Sequence, residues 1–344
     1  MSVHTDSPST FEFTDLTPVE PVGAVPPWRD QAWLAEALAW IDLELERVGR
    51  GRVGPAKLRT RMWSVVARVP VDRDETVWFK ANPPGSAFEA ALTLRLADAS
   101  GSWTPRVLAV DAARSWSITL DAGMHLGESL RTDPDPESLW PVLAHYVRNQ
   151  RAMGLKAQEL LDLGVPDLRP SVLTTAFEAM LDRPALRAVV GHPEGIDEAA
   201  YERLHAFTPK LRELCAELDA LDGPPPSFDH GDLHPNNVFV DGVNARLHDW
   251  GDASLAHPFS SLLVLLRSLR EFLDADGVAA VRASYLDGWR EDGYAGADLE
   301  RAAQLAVLVA PILRASSWER VFPCFADAEE PNVNAARWLS RLPF

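Results

Sequence analysis

The sequence has few cysteines, few lysines and no long hydrophobic run. Its 344 residues contain two cysteines, Cys215 and Cys324, whose positions match neither a metal site nor a framework of disulfide bridges, so we expect a reduced compartment. No apolar stretch approaches the length of a membrane span, and the polar start, residues 1–10, has no apolar signal region. A cytoplasmic protein without a membrane partner is therefore expected.

Acidic residues outnumber basic ones, 50 against 33. The formal net charge of −17 argues against a nucleic-acid partner, because such binding depends on basic patches. The acidic surplus would suit a cationic small molecule, although it serves equally well to keep the chain soluble. The length predicts two lobes rather than one core, and it is compatible with a monomer or a homodimer.

Residues with chemical functions are concentrated in the segment 230–253. Asp232 follows a His-Gly turn, Asn237 comes five residues later, and Asp249 follows two short apolar strands separated by an Asp-Gly turn. This pattern predicts a β-hairpin that returns Asp249 to the side of Asn237. Phosphoryl transfer from ATP requires a carboxylate that orients a hydroxyl, and it requires oxygen ligands that hold Mg²⁺ on the phosphates. The segment therefore predicts a kinase of small molecules.

The same segment resembles the catalytic loop of the aminoglycoside phosphotransferase and choline kinase superfamily. There, His-Gly-Asp-x-His-x-x-Asn is followed by an Asp-Trp or Asp-Phe pair. The resemblance implies an α+β, two-lobed protein-kinase-like fold, with a small antiparallel sheet and one key helix in the N-lobe and a larger, mostly helical C-lobe. It implies an N-lobe at 29–122 and a C-lobe at 123–344, and the Pro-, Thr- and acid-rich residues 1–28 are expected to form an extended arm.

The resemblance also implies roles for the residues of this loop. Asp232 would be the catalytic base, and Asn237 and Asp249 would hold Mg²⁺ on the phosphates of ATP. The acceptor would be a hydroxyl of an aminoglycoside, an amino sugar or other sugar, or an amino alcohol. Four residues are candidates to contact it, namely His234, Asp252, Trp318 and Glu319.

The nucleotide site is predicted in the upstream half of the chain. Lys80, one of only four lysines, lies in the second of two predicted strands, 65–71 and 75–81, and Glu89 lies near the start of the following predicted helix. In the family a strand lysine binds the α/β-phosphates and pairs with a helix glutamate. Lys80 and Glu89 match these positions.

The phosphate loop and the hinge are less typical of the family. No glycine-rich loop is present, and the turn at residues 59–64, which ends in Ser64, takes its place. Backbone amides or the Ser64 hydroxyl would contact phosphate there. By position, the backbone of Leu120 and Ala122 matches the hinge that binds adenine.

Three departures from the family pattern leave one question open. Asn236 replaces a common glycine, His248 replaces an aliphatic residue, and the expected Asp-Pro-Ala-x-Asp-Leu sequence is missing after Trp250. The group that buttresses the catalytic loop is therefore unassigned, and His257, Asp252 or a water could fill that role.

Two other functions remain alternatives at this stage. One is a catalytically weak nucleotide-binding module. The other is a metal-dependent hydrolase, which would use a cluster of histidines and aspartates as ligands. That cluster would consist of His230, Asp232, His234, His248, Asp249 and His257.

Apolar periodicity predicts the remaining elements. A helix is expected over 31–48 and a further hairpin over 107–111 and 115–120. Helices of the C-lobe are expected over 138–163, 170–181, 198–221, 258–273 and 299–321.

Overall fold

The computed structural model describes residues 11–15, 28, 30–61, 63–100, 103–241, 244–321 and 333–344. The chain divides into two compact units. The first contains the described residues up to Ala122 together with Val321, and the second contains residues 123–320 and 333–344. Apart from residues 11–15 and Trp28, the predicted N-terminal arm lies outside the described residues. None of the described helices is both long enough and apolar enough to cross a membrane.

The first unit is built on a six-stranded sheet in the order β1-β2-β3-β4-β6-β5. Strands β2 to β6 pair antiparallel, whereas β1 joins β2 in parallel. Both predicted hairpins are confirmed. The elements are β1 (Phe11–Asp15), α1 (Gln31–Arg47), β2 (Ala56–Arg61), β3 (Ser64–Val71), β4 (Glu75–Ala81), α2 (Phe88–Ser100), β5 (Val107–Asp111) and β6 (Trp116–Leu120).

Buried and half-buried side chains alternate along β4, and this alternation determines the direction of the Lys80 side chain. Val77, Phe79 and Ala81 are buried in the core that α1 covers. Phe79 meets Trp40 of α1 and Trp116 of β6 with ring centroids 6.0 and 5.7 Å apart. Because successive side chains of a strand face opposite sides of the sheet, Lys80 points away from this core.

The second unit is mainly helical and contains two small sheets, β10-β9-β7 and β11-β8. Its strands are β7 (Met124–His125), β8 (Ser227–Asp229), β9 (Val238–Asp241), β10 (Asn244–Leu247) and β11 (Ser254–Ala256). Its helices are α3 (Leu126–Thr132), α4 (Trp140–Gly154), α5 (Ala157–Asp162), α6 (Pro170–Leu181), α7 (Pro184–Arg187), α8 (Glu198–Ala220), α9 (Leu262–Leu269), α10 (Ala275–Arg290), α11 (Gly296–Val321) and α12 (Val333–Leu339).

The predictions for this unit need three corrections. The helix expected over 138–163 is two helices, α4 and α5, separated by a two-residue turn. The helix expected over 258–273 begins with a 3₁₀ turn at Pro258–Ser261, and its regular part, α9, ends at Leu269. Helix α10 was not predicted, although Asp274 caps it by accepting a hydrogen bond from the Gly277 amide at 2.8 Å.

Candidate active site

The segment singled out in the sequence forms a loop between β8 and β9 and the hairpin that follows. Strands β9 and β10 pair antiparallel with Leu247 opposite Val238, so the predicted hairpin is confirmed, although its turn at residues 242–243 lies outside the described residues. The His248 amide donates to the Asn237 carbonyl at 3.1 Å. This bond returns the chain to Asn237 immediately before Asp249, which has a positive φ of 65°.

Gly231 allows the loop between β8 and β9 to approach the following segment very closely. Its φ is +76°, and a Cβ built there would lie 2.2 Å from the Asp252 carbonyl oxygen. Any larger residue would therefore collide with backbone. The absence of a side chain brings the backbone before Asp232 against that of Asp252.

Asn237 is buried and is oriented by the loop itself. Its Nδ2 donates to the Asp232 carbonyl oxygen at 3.0 Å. This bond turns the NH₂ group of the carboxamide toward the loop backbone. The Oδ1 atom is left as the end that can bind a cation.

Asp232 keeps a side-chain exposure of 26%, and its two carboxylate oxygens have different neighbours. Oδ1 lies 3.3 Å from Nη2 of Arg314, and Oδ2 lies 3.6 Å from Nε2 of His234. Burial raises the pKa of Asp232, and the positive charge of Arg314 opposes that effect. The Nδ1 atom of His234 accepts the Asn236 amide at 3.1 Å, so the Nε2–H faces Asp232.

Arg314, on α11, was not identified from the sequence. It is 6% exposed, and its Nη1 donates to the Gly231 carbonyl at 2.9 Å and to Asp252 Oδ2 at 2.6 Å. Burial alone would raise the pKa of Asp252, but the Arg314 guanidinium brings it below its usual value. Asp252, predicted to contact the acceptor, is thus ion-paired within the protein.

A second buried network buttresses the loop at its start. The Ser261 hydroxyl donates to the Asp229 carboxylate, and it shares a 2.7 Å hydrogen bond with the Tyr146 hydroxyl. The Tyr146 hydroxyl also accepts the His230 amide at 2.9 Å. Full burial raises the pKa of Asp229 to about 6. The buttress left open by the sequence therefore includes Asp229, Ser261 and Tyr146.

The histidines of this region serve as backbone partners. His230 Nδ1 accepts the Asp232 amide, and its Nε2 donates to the His248 carbonyl at 3.0 Å. His257 Nδ1 accepts the Phe259 amide at 3.2 Å. Burial lowers the pKa of His230 to about 4 and that of His257 to about 3, so both rings are neutral near pH 7. Within the described ranges, no group of three or more His, Cys, Asp or Glu side chains could hold a metal ion.

In the first unit, the lysine predicted to bind nucleotide phosphates is paired with the glutamate predicted to orient it. Lys80 Nζ donates to both carboxylate oxygens of Glu89, at 2.6 and 2.7 Å, and Glu89 is 3% exposed. A buried carboxylate of this kind fixes the position of the ammonium group. The structure thus brings together the two residues that the sequence paired.

The other predicted nucleotide contacts lie at the edges of this sheet. Ser64 is the first residue of β3 and is buried, and Met62 in the preceding turn lies outside the described residues. The Leu120 amide donates to the Arg106 carbonyl at 2.8 Å, so only the carbonyl of Leu120 can serve a ligand. Ala122 follows two residues later at the end of this unit.

The predicted acceptor residues are separated in the second unit. Trp318 and Glu319 lie on α11, where Glu319 is 1% exposed and lies 3.9 Å from Arg183. His234 instead lines a cavity of about 280 Å³, which we call the loop-side cavity. Its other lining residues come from the catalytic loop, α9, the turn that follows α9, and α12. They are Pro235, Asn236, Val264, Arg267, Ser268, Glu271, Phe272 and Trp338.

Comparisons with known proteins agree with this architecture. Residues 61–300 match the family model described as the phosphotransferase enzyme family. A solved macrolide 2'-phosphotransferase of type I aligns with a TM-score of 0.54 and 16% identity, covering 89% of this chain and 97% of that chain. Macrolide 2'-phosphotransferase MphH from Brachybacterium faecium aligns with a TM-score of 0.52 and 18% identity, covering 85% and 98%.

The GDP complex of aminoglycoside 2'-phosphotransferase-IIIa aligns with a TM-score of 0.52 and 13% identity, covering 84% of this chain and 98% of that chain. At these identities the similarity concerns the fold. The predicted α+β protein-kinase-like fold, with a sheet-based unit and a mostly helical unit, is confirmed. A search of curated proteins finds no match.

Proposed function

The chain belongs to the phosphotransferase enzyme family, and on this premise we propose that it transfers the γ-phosphate of ATP to a hydroxyl of a small molecule in the cytoplasm. The family match confirms the resemblance drawn from residues 230–253 and the prediction of a phosphotransferase enzyme. The observation that supports the specific proposal most is the loop geometry. The Asn237 carboxamide is bonded to the backbone carbonyl of Asp232, and the hairpin returns the chain to Asn237 immediately before Asp249.

Asn237 and Asp249 suit a magnesium ion. Mg²⁺ prefers hard oxygen ligands and commonly uses only one or two protein groups, with waters and phosphates completing its shell. Asn237 Oδ1 and the Asp249 carboxylate provide such a pair. Because Asn237 Nδ2 is hydrogen-bonded to the loop backbone, Oδ1 is the end of the amide that would face the ion. When bound, Mg²⁺·ATP supplies a γ-phosphoryl group whose negative charge is partly neutralised.

Asp232 acts as the base in this proposal. Arg314 holds Oδ1, so Oδ2 accepts the hydrogen bond from the acceptor hydroxyl. The hydroxyl oxygen forms a bond to the γ-phosphorus while the bond from that phosphorus to the oxygen bridging to the β-phosphate breaks. The proton passes late to Asp232, and ADP leaves with the bridging oxygen.

Lys80 and the residues around it would bind the nucleotide. The Glu89 carboxylate holds the Lys80 ammonium in place, and we assign this ammonium to the α/β-phosphates. Ser64 is proposed to contact phosphate, and the backbone of Leu120 and Ala122 is proposed to contact adenine. These assignments rest on position in the sheet.

The loop-side cavity is the proposed acceptor site. His234 joins it to the catalytic base, because its ring lies 3.6 Å from Asp232 and also lines the cavity. Arg267 and Glu271 also line it and carry one charge of each sign. A polycationic aminoglycoside would need several acidic groups in its site, and this cavity has one glutamate beside one arginine. The lining therefore favours a neutral or singly charged sugar or amino alcohol.

An ADP-release screen tests the proposal. Purified protein with ATP and Mg²⁺ is presented with aminoglycosides, amino sugars, neutral sugars and amino alcohols, each with an Asp232→Asn variant beside it. Asp232→Asn is expected to lower turnover by about 1,000-fold while nucleotide binding persists, since removal of a positioned base costs roughly that factor. The exposed Asp222→Asn variant is the matched control. Near-normal turnover in Asp232→Asn would exclude the assigned base.

A further inference from the structure

Arg314 connects two carboxylates and a backbone carbonyl of the active-site segment. It lies on α11, 62 residues after Asp252 and 83 residues after Gly231, and all three contacts are made within the second unit. Its Nη1 bonds Asp252 and the Gly231 carbonyl, and its Nη2 faces Asp232. A single planar guanidinium therefore fixes the position of Asp232 relative to its own loop.

From this arrangement we infer that Arg314 is a positioning residue for the catalytic base, an inference that rests on the proposed function. The shorter contact, 2.6 Å to Asp252, anchors the guanidinium, and the longer one, 3.3 Å, restrains Asp232. Because the restraint acts on Oδ1, the carboxylate cannot turn freely. Its Oδ2 remains directed to the side of His234.

The surrounding packing makes this restraint rigid. A Cβ at Gly231 would meet the Asp252 carbonyl at 2.2 Å, so the two backbones that carry the carboxylates lie in contact. On its other side, the Arg314 guanidinium lies over the Trp338 ring, 5.6 Å from the centroid. Trp338 also lines the loop-side cavity, and its ring limits the movement of the guanidinium.

A role limited to neutralising Asp252 can be distinguished from a role in positioning Asp232. If Arg314 only neutralised Asp252, removing both charges together would restore the enzyme. If Arg314 positions Asp232, the same double change would leave a folded enzyme with a poorly aligned base. The two roles therefore separate in the Arg314→Met/Asp252→Asn double variant.

The test uses the acceptor found by ADP release and measures kcat, KM for ATP and thermal unfolding for each variant. The double variant is expected to fold and to lose about 100-fold in kcat with KM for ATP nearly unchanged, because misplacement of a reacting group by about 1 Å costs roughly that factor. Arg314→Lys, which keeps the charge without the planar fork, is expected to lose about 10-fold in kcat. Arg301→Met removes an exposed arginine ion pair from the same helix and is the control.

A double variant with wild-type kcat would overturn the inference, as would wild-type kcat in Arg314→Lys if the double variant fails to fold. The Asp232→Asn variant run in parallel reports on the proposed function separately. Active wild type, inactive Asp232→Asn and unaffected Arg314 variants would refute only the positioning role. A wild type without phosphoryl transfer to any acceptor would overturn both.

Discussion

The buried carboxylate of Asp229 makes stability depend on pH in a direction that can be worked out. Burial raises its pKa from 3.8 to about 6. Between these values the folded protein binds more protons than the unfolded chain, so the free energy of unfolding falls as pH rises through this window and then levels off. By linkage, this one group changes the free energy of unfolding by about 2 kcal/mol between about pH 4.5 and about pH 7.

Asp229→Asn should remove that contribution. The carboxamide oxygen can still accept from the Ser261 hydroxyl, so the hydrogen-bonded buttress is largely kept while the ionisable group is lost. Urea unfolding of the wild type and the variant across this pH range isolates the difference, because other acids titrate in both proteins. Relative to wild type, the variant is expected to gain about 2 kcal/mol on going from the acidic to the neutral end.

The exposed Asp222→Asn variant, which should follow the wild type at every pH, is the control for the loss of one carboxylate. If Asp229→Asn and wild type lose stability in parallel across the range, then burial does not hold a proton on Asp229. Asp229 would then not be a protonated member of the buttress.

Three further outcomes are expected. Gly231→Ala should lower the free energy of unfolding in urea by about 2 kcal/mol more than Gly293→Ala does. Both glycines have a positive φ, but only at Gly231 would the new Cβ lie 2.2 Å from a backbone atom. Equal losses in the two variants would contradict the close approach at Gly231. Asp249→Ala should weaken ATP binding at least about 10-fold by calorimetry when Mg²⁺ is present and much less when it is absent, unlike the exposed hairpin variant Asp241→Ala. Lys80→Met should raise KM for ATP by about 10-fold or more, whereas the exposed strand variant Lys57→Met should not, and an unchanged KM would remove Lys80 from the phosphate site.

The sequence revealed those parts of the site whose partners are close along the chain. The hairpin after Asn237 follows from local alternation and an Asp-Gly turn, and Lys80 and Glu89 are only nine residues apart. Arg314 comes 83 residues after Gly231 and lies on a largely buried helix, where the sequence pattern does not distinguish it from other arginines. Contacts of that separation depend on tertiary packing, which periodicity does not encode.

The residues that buttress the loop were also not identified from the sequence. The sequence offered His257, Asp252 or a water as the buttress, whereas the structure places the carboxylate of Asp229 before the loop and a hydroxyl, Ser261, after it. The same hydrogen bond would form if the carboxylate followed the loop and the hydroxyl preceded it. Only the three-dimensional pairing shows which residue carries the charge.

The position of Arg314 on α11 has a consequence for biosynthesis. The loop between β8 and β9 leaves the ribosome well before α11, and until that helix has emerged, the carboxylates of Asp232 and Asp252 lack the guanidinium that lies against both of them in the folded protein. Their mutual repulsion then opposes closure of the loop. Closure of the loop between β8 and β9 therefore depends on a helix whose arginine comes 83 residues after Gly231 in the sequence.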